Sequence, residues 1–347
     1  MQDSTSNGTT GAVYIQTNDR RGNGVIAFRR AADGSLARLG TFRTGGAGDG
    51  VPHLTSQGSV VLTSDGRHLL VSNAASADVS VFAVASDGLE LVQKAATGGS
   101  APKSVTEHDG LVYVLNTGDP SLTGFRLDDA GLTPLPGSRR DLASESADPA
   151  QAGFSPDGSV LVVTERGTDS IVTYTVGNAG MLGPAKASPS SGATPYGFAF
   201  TSGGTLVVTE AFGAQKGKAA ASSYRLEGGS VTPVTRSARN GRSEICWAVV
   251  SKDDRFAFTT NFADGAVSRY AIGDDGSITL EDAAAATAVE GMTGLRDEDV
   301  SGDGRFLYAI DADAQRIFGW AVGDEGSLAA IGSWHGLSET VAGLAAS

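Results

Sequence analysis

The sequence predicts an all-β fold, a closed ring of seven four-stranded blades, and three observations carry that prediction. Its 48 glycines punctuate short Val, Ile, Thr, Tyr and Phe runs, with no sustained 3.6-residue apolar period, so strands and tight turns replace helices. One four-strand phrase recurs about seven times at a period of roughly 40 to 55 residues, the signature of propeller blades. The first copy lacks a strand that the chain's last residues can supply.

The repeated unit is a strand, a turn of the form S-x-D-G, a second strand ending on a polar residue, a loop, a third strand, and D-G-x-L leading into a fourth. Blade 1 reads AVYIQTNDRRGNGVIAFRRAADGSLARLG and has no first strand. Blade 2, SVVLTSDGRHLLVSNAASADVSVFAVASDGLELV, is the clearest copy, from Ser59 to Val92. Blade 3 is the weaker SVTEHDGLVYVLNTGDPSLTGFRLDDAGLTPL, and blades 4 and 5 follow as FSPDGSVLVVTERGTDSIVTYTV and FTSGGTLVVTEAFG. Blades 6 and 7 are VSKDDRFAFTTNFADGAVSRYAIGDDGSITL and VSGDGRFLYAIDADAQRIFGWAVGDEGSLAAI. The segment SETVAGLAAS should then pair with the N-terminal strand, close the ring, and remove an open sheet edge. No composition break divides the chain, so a single domain is expected over residues 13–347, preceded by a flexible polar segment over 1–12.

Charge and composition narrow the function. A net charge of −13 without a clustered basic face argues against nucleic acid. No apolar run nears the roughly 20 residues that span a bilayer, so no membrane partner is expected. One cysteine, Cys246, excludes an internal disulfide framework. The four histidines lack ligand spacing, and no phosphate loop or serine-nucleophile elbow occurs, so no metal and no cofactor are expected. The compartment stays open, and a soluble acidic monomer is the expectation.

Aligning the ends of the second strands gives Asn18, Asn73, Asn116, Glu165, Glu210, Asn261 and Asp311, one polar residue per blade near one face of the ring. Asn and Asp there suit turn capping; Glu is a poorer turn former, which singles out Glu165 and Glu210 on adjacent blades. The starts of the innermost strands add Gln57, Lys103, Gln151, Tyr196, Glu244, Cys246, Trp247, Arg296, Asp297 and Glu298, the last three within the charged run LRDED. Charges beside aromatics suggest a pocket for a small anionic molecule. Glu210 is the candidate acid/base, with Glu165 raising its pKa by repulsion. Arg296, Lys103 and Arg166 are candidate anion or oxyanion stabilisers, Tyr196 and Trp247 candidate walls, and Gln57, Gln151, Asn116 and Asn261 further candidate contacts. The loop AFGAQKGKAAASS after Glu210 is a candidate lid.

From about Val13 onwards, phrases such as SPDGSVLVVTE and VFAVASDGLELV resemble those of the lactonase-type seven-bladed propellers, the family of bacterial 6-phosphogluconolactonase and fungal 3-carboxy-cis,cis-muconate lactonizing enzyme. The resemblance implies the fold and metal-free chemistry using basic residues and a glutamate at the propeller mouth. Glu210 in LVVTEAFG matches the family glutamate. Ala150 and Gln151 stand where a His is expected, Tyr196 where an Arg is expected, and Asn261 and Phe262 around a further basic position. The expected function is thus an enzyme acting on a small lactone or unsaturated carboxylic acid by hydrolysis, lactonization or isomerization; the alternative is a propeller that binds a small molecule or protein without catalysis.

Overall fold

The computed structural model describes residues 11–52 and 54–347. They form seven antiparallel sheets arranged as blades around an axis. The expectation of a flexible N-terminal segment lies outside the described residues up to residue 10, and Gly11 and Ala12 already belong to the first strand, Gly11–Gln16.

The innermost strands are Val60–Leu62, Pro102–His108, Pro149–Phe154, Pro195–Phe200, Ile245–Val250 and Leu295–Val300 in blades 2 to 7. In blade 1 the place is taken by Ala342–Ala346, which pairs antiparallel with Gly11–Gln16 and joins the two ends of the chain as expected. In blade 3 the outer strand is broken: Gly131–Pro134 and Arg140–Asp141 both pair with Ser121–Asp128. Pro136 and Gly137, the latter at φ +75°, interrupt the ladder between them.

The recurrent S-x-D-G phrase has a local cause. In blade 4 the Ser155 hydroxyl donates to Asp157 at 2.6 Å and accepts the Val160 N–H at 3.0 Å, while Gly158 takes φ +68°. Ser251 with Asp253 and Ser301 with Asp303 repeat the arrangement, and Thr63 with Asp65 does so in blade 2. Each hairpin therefore ends the innermost strand at the same height, which fixes one end of the axial channel.

Core burial lies between blades rather than within them. Successive residues of a strand face opposite neighbours, so Leu69 and Val71 pack toward blade 1 while Leu70 packs toward blade 3. Seven clusters of this kind fill the seven blade junctions. An eighth, of Ala150, Tyr196, Ala211, Cys246 and Trp247, sits near the axis among blades 4 to 6.

Candidate active site

The innermost strands share a defect. In blades 3 to 7 the register with the second strand slips by one residue at the second or third residue of the innermost strand, and the slip falls at Lys103, Ala150, Tyr196–Gly197, Cys246–Trp247 and Asp297. The closing strand does the same at Gly343, whose φ of +66° and closeness to Ser59 and Val60 leave no room for a Cβ. Such bulges re-aim side chains. Here they form a layer of non-repeating residues near the strand-start end of the axis.

An innermost strand has a free edge whose N–H and C=O groups need partners. Much of the layer supplies them. The Gln151 side chain takes the Phe198 N–H at 2.7 Å and gives to the Phe198 carbonyl at 3.1 Å. Gln57 does the same across the axis to Ala248, at 3.2 and 2.9 Å. Ser104 and Thr106 accept the N–H groups of Ala152 and Phe154, and Asp299 accepts that of Ala346. Gln57 and Gln151, expected as ligand contacts, are thus edge staples whose amides are occupied.

The ring of second-strand ends also proves to be stapling. Asn73 pairs with Asp78 and bonds Ser80, two positions on; Asn116 pairs with Ser121 and reaches Thr123; Asn261 pairs with Ala266 and bonds Ser268. Glu210 pairs with Ala220 and accepts from Ser222, from Ser237 at 2.7 Å and from the Gly192 N–H at 2.8 Å, all in blade 5 or its leading loop. In blades 4 and 7 the Ser/Thr position is Val172 and Phe318, and there one oxygen each of Glu165 and Asp311 is left without a partner. The expectation that Glu165 and Glu210 are coupled in one mouth is corrected: burial raises both pKa values, and neither carboxylate is among the charges acting on the other. Asn18 departs from the pattern and holds Asp49 at 2.7 Å.

Asp49 belongs to the connector from blade 1 to blade 2, which closes the strand-start end. Lys103 pairs with Asp49 at 3.3 Å, Leu54 is buried, and the Ser56 hydroxyl donates to the Ala150 carbonyl at 2.6 Å and the Lys103 carbonyl at 2.8 Å. Lys103 is a clamp on this connector. Arg166 pairs with Asp148 at 2.6 Å and lies 4.9 Å over the Tyr196 ring, which is tilted against Trp247 at 5.6 Å. The candidate lid after Glu210 is held against blade 5 where Arg239 stacks 3.9 Å over Phe212.

Arg296 differs from every other cation of this end. Its side chain is 1 % exposed, and none of its three guanidinium nitrogens has a hydrogen-bond partner among the described residues. Burial lowers its pKa, and Asp297, Asp313, Tyr196 and Asp311 act in the opposite sense. Asp297 beside it is 3 % exposed with one oxygen unpartnered. Burial pushes Asp297 up to about 7, against the pull of Arg296, the Gly343 N–H and the Trp247 indole. The same burial raises the Cys246 thiol well above its usual range, which leaves it an inert buried group rather than a nucleophile. Sequence reasoning placed Asp297 beside Arg296 at the mouth but gave it no role of its own; the slip of register that selects it has no residue signature.

Below the layer an axial channel of about 740 Å3 runs from Gln57, Gln151, Trp247 and Asp297 to the hairpin residues Asp65, Pro156, Lys252 and Gly302. The large cavity therefore opens at the hairpin end, opposite the connector. Among the described residues no group of three or more His, Cys, Asp or Glu side chains could hold a metal ion, and no helix is long and apolar enough to cross a membrane.

Seven antiparallel blades closed into a ring by pairing of the chain's two ends define a seven-bladed β-propeller. The family model for lactonases of seven-bladed β-propeller form matches residues 22–135, 132–214 and 208–338, so the chain belongs to the lactonase family of seven-bladed propellers. Among solved structures it is similar to the periplasmic gluconolactonase of Pseudomonas aeruginosa, at 18 % identity and a TM-score of 0.74 over 96 % of this chain and 98 % of that one. A proposed 6-phosphogluconolactonase of Bacteroides fragilis matches at 19 % identity, a TM-score of 0.73 and 99 % of each chain. A protein from Lactobacillus plantarum matches at 15 % identity and a TM-score of 0.75 over 97 % of this chain and 99 % of that one. No curated protein matches the sequence.

Proposed function

We propose that the chain hydrolyses a small lactone at the bulge layer of blade 7, with Arg296 and Asp297 as its working pair. The observation that carries this reading is the buried guanidinium of Arg296 without a hydrogen-bond partner. Burying such a group is costly unless an acceptor arrives. A lactone carbonyl is a suitable acceptor, and its oxygen gains negative charge as the carbon becomes tetrahedral, when fixed donors stabilise it most. Ionised Asp297 takes a proton from water as the oxygen of that water adds to the carbonyl carbon. The ring C–O bond then breaks, and the proton on Asp297 passes to the departing alkoxide, giving the hydroxy acid. A carboxyl poised near 7 serves both steps at neutral pH. Tyr196 and Trp247 wall the site. Run in reverse, the same groups would close a hydroxy acid to a lactone.

The test is a lactone panel followed by acid release. Arg296→Gln and Asp297→Asn should each lower kcat/KM by about 100-fold or more with little change in Tm. Full activity in both variants removes the assignment. The alternative of a propeller that binds without catalysis draws on the closed strand-start end, and it would stand if no lactone were turned over while a ligand bound at the axis.

A further inference from the structure

The axial channel holds more negative charge than the proposed reaction uses. Its ionisable lining is Asp65, Glu107, Asp297, Glu298 and Asp299 against the single cation Lys252, among the described residues. Asp65 is paired with Arg67 at 2.7 Å, and Lys252, on the blade 6 hairpin, is the cation that acts on Asp299. Glu107 accepts the N–H groups of Ser64 at 3.0 Å and Gly110 at 2.7 Å and has no cation partner among the described residues. Deeper in the channel, the buried side-chain acceptors of the lining that lack a donor are carboxylate oxygens, Asp297 Oδ2 and both oxygens of Glu298. The neutral side chains Gln57, Gln151, Thr63 and Thr106 of the same walls are already engaged, with Ala248, Phe198, Asp65 and Phe154.

These carboxylates fall at two heights. Asp297 lies at the bulge of its strand, and Glu107 lies four residues beyond the corresponding bulge at Lys103, so it sits about 13 Å further toward the hairpins at the rise of a strand. A compact metal ion cannot meet both heights, and among the described residues no group of three or more His, Cys, Asp or Glu side chains could hold one. An ammonium group suits each height, because it brings three donors and a charge to oxygens that have neither. Asp297 is pushed up to about 7 by burial, so near neutral pH it ionises readily for a cation, and Asp299, at about 6, adds to the field. Glu298, held well above the usual carboxylate range, offers a carbonyl oxygen as the neutral acid.

We propose that the axial channel binds an elongated organic cation end-on, with one ammonium group at Asp297 and Glu298 and another at Glu107. Its sign is opposite to that of the anionic ligand the basic residues suggested: Lys103 and Arg166 are paired with Asp49 and Asp148, and neither lines the channel. The site goes beyond the lactone-hydrolase reading and shares only Asp297 with it.

The probe is spermidine, titrated calorimetrically into the full chain at pH 8 beside butylamine, which carries one ammonium group, and triethylene glycol, which carries none. One spermidine should bind per chain, with butylamine about 10-fold weaker or more and the glycol without measurable binding. Glu107→Gln should weaken spermidine about 10-fold and leave butylamine unchanged, because only the contact at the hairpin end is lost. Unaltered butylamine binding doubles as the check on folding. Lys252→Gln removes the one opposing cation and should tighten spermidine about 3-fold, a gain that a misfolded chain cannot give. Glu145→Gln, at an exposed position outside the channel, should change nothing. Several weak sites per chain, or equal effects of Glu107→Gln and Glu145→Gln, would mean attraction to the acidic surface as a whole and overturn the proposal. Absence of spermidine binding, or binding no tighter than that of butylamine, would overturn it too. Calorimetry needs no turnover, so each of these outcomes holds whether or not a lactone is opened.

Discussion

Two sets of polar residues compete for the role of active site, the ring of second-strand ends and the bulge layer of the innermost strands, and they differ in how their polar atoms are met. Glu210 is fully buried with three donors on its carboxylate. Arg296 is as deeply buried with none on its guanidinium. Burial alone does not distinguish structure from function in this molecule, and neither does charge. In blades 2, 3, 5 and 6 the ring residue ties the second strand to the third, whereas the bulge layer varies from blade to blade because nothing in the repeat dictates it.

The largest test of that contrast removes a member of the layer outright. Deleting residues 337–347 takes away the strand Ala342–Ala346, and with it the pairing partner of Gly11–Gln16 and the N–H groups that Asp297 and Asp299 receive. Those five residues are all buried, so loss of the cooperative thermal transition is expected. A truncated chain melting at the parental Tm would show that the ring does not depend on closure.

The next test is a double dissociation. Arg296→Gln should abolish most turnover and leave Tm nearly unchanged. Glu210→Gln should keep turnover within a few-fold while lowering stability by about 1 kcal/mol, because an amide has one oxygen for donors that now meet two. If Glu210→Gln instead loses turnover about 100-fold at constant Tm, the two regions exchange roles and the family glutamate is the acid/base.

Seven blades, the closing strand and the turn chemistry were legible in the chain because they repeat: S-x-D-G encodes a hairpin wherever it occurs. The candidate residues were legible only as positions near the axis. A Gln read as a ligand contact and a Gln stapling a free strand edge are spelled alike, so Gln57 and Gln151 could be placed but not assigned. Glu165 and Glu210 stood out as exceptions to an Asn/Asp series, yet what separates them lies seven and twelve residues on, where Val172 replaces the partner that Ser222 provides. The bulge that selects Asp297 depends on the register between two strands and is a property of the folded pair alone.

A pH profile sharpens the comparison further. If Asp297 is the base, it must be ionised, so kcat/KM should be low at pH 5, climb through about 7 and level above it. Glu210 sits in a different set of bonds, and Glu210→Gln should leave that profile where it is. A profile that shifts in Glu210→Gln and persists in Asp297→Asn would reverse the assignment.

The smallest expected effect concerns Glu298, which follows Asp297 but takes no part in the proposed chemistry. It is 4 % exposed, no hydrogen bond of normal geometry meets either oxygen, and burial holds its pKa well above the usual carboxylate range. In the unfolded chain it ionises at an ordinary carboxylate pKa, near 4.3. Between that value and its raised folded value, unfolding releases a proton, so its contribution to stability falls as pH rises. Asp297 and Asp299 act in the same direction up to about 7 and about 6. Glutamine cannot release that proton. Glu298→Gln should therefore match the parent in Tm near pH 4 and exceed it by a few degrees at pH 8, with unchanged turnover. A Tm difference that is constant across this range would mean that Glu298 is ionised in the folded protein, and the strand Leu295–Val300 would then present a charge to the channel it lines.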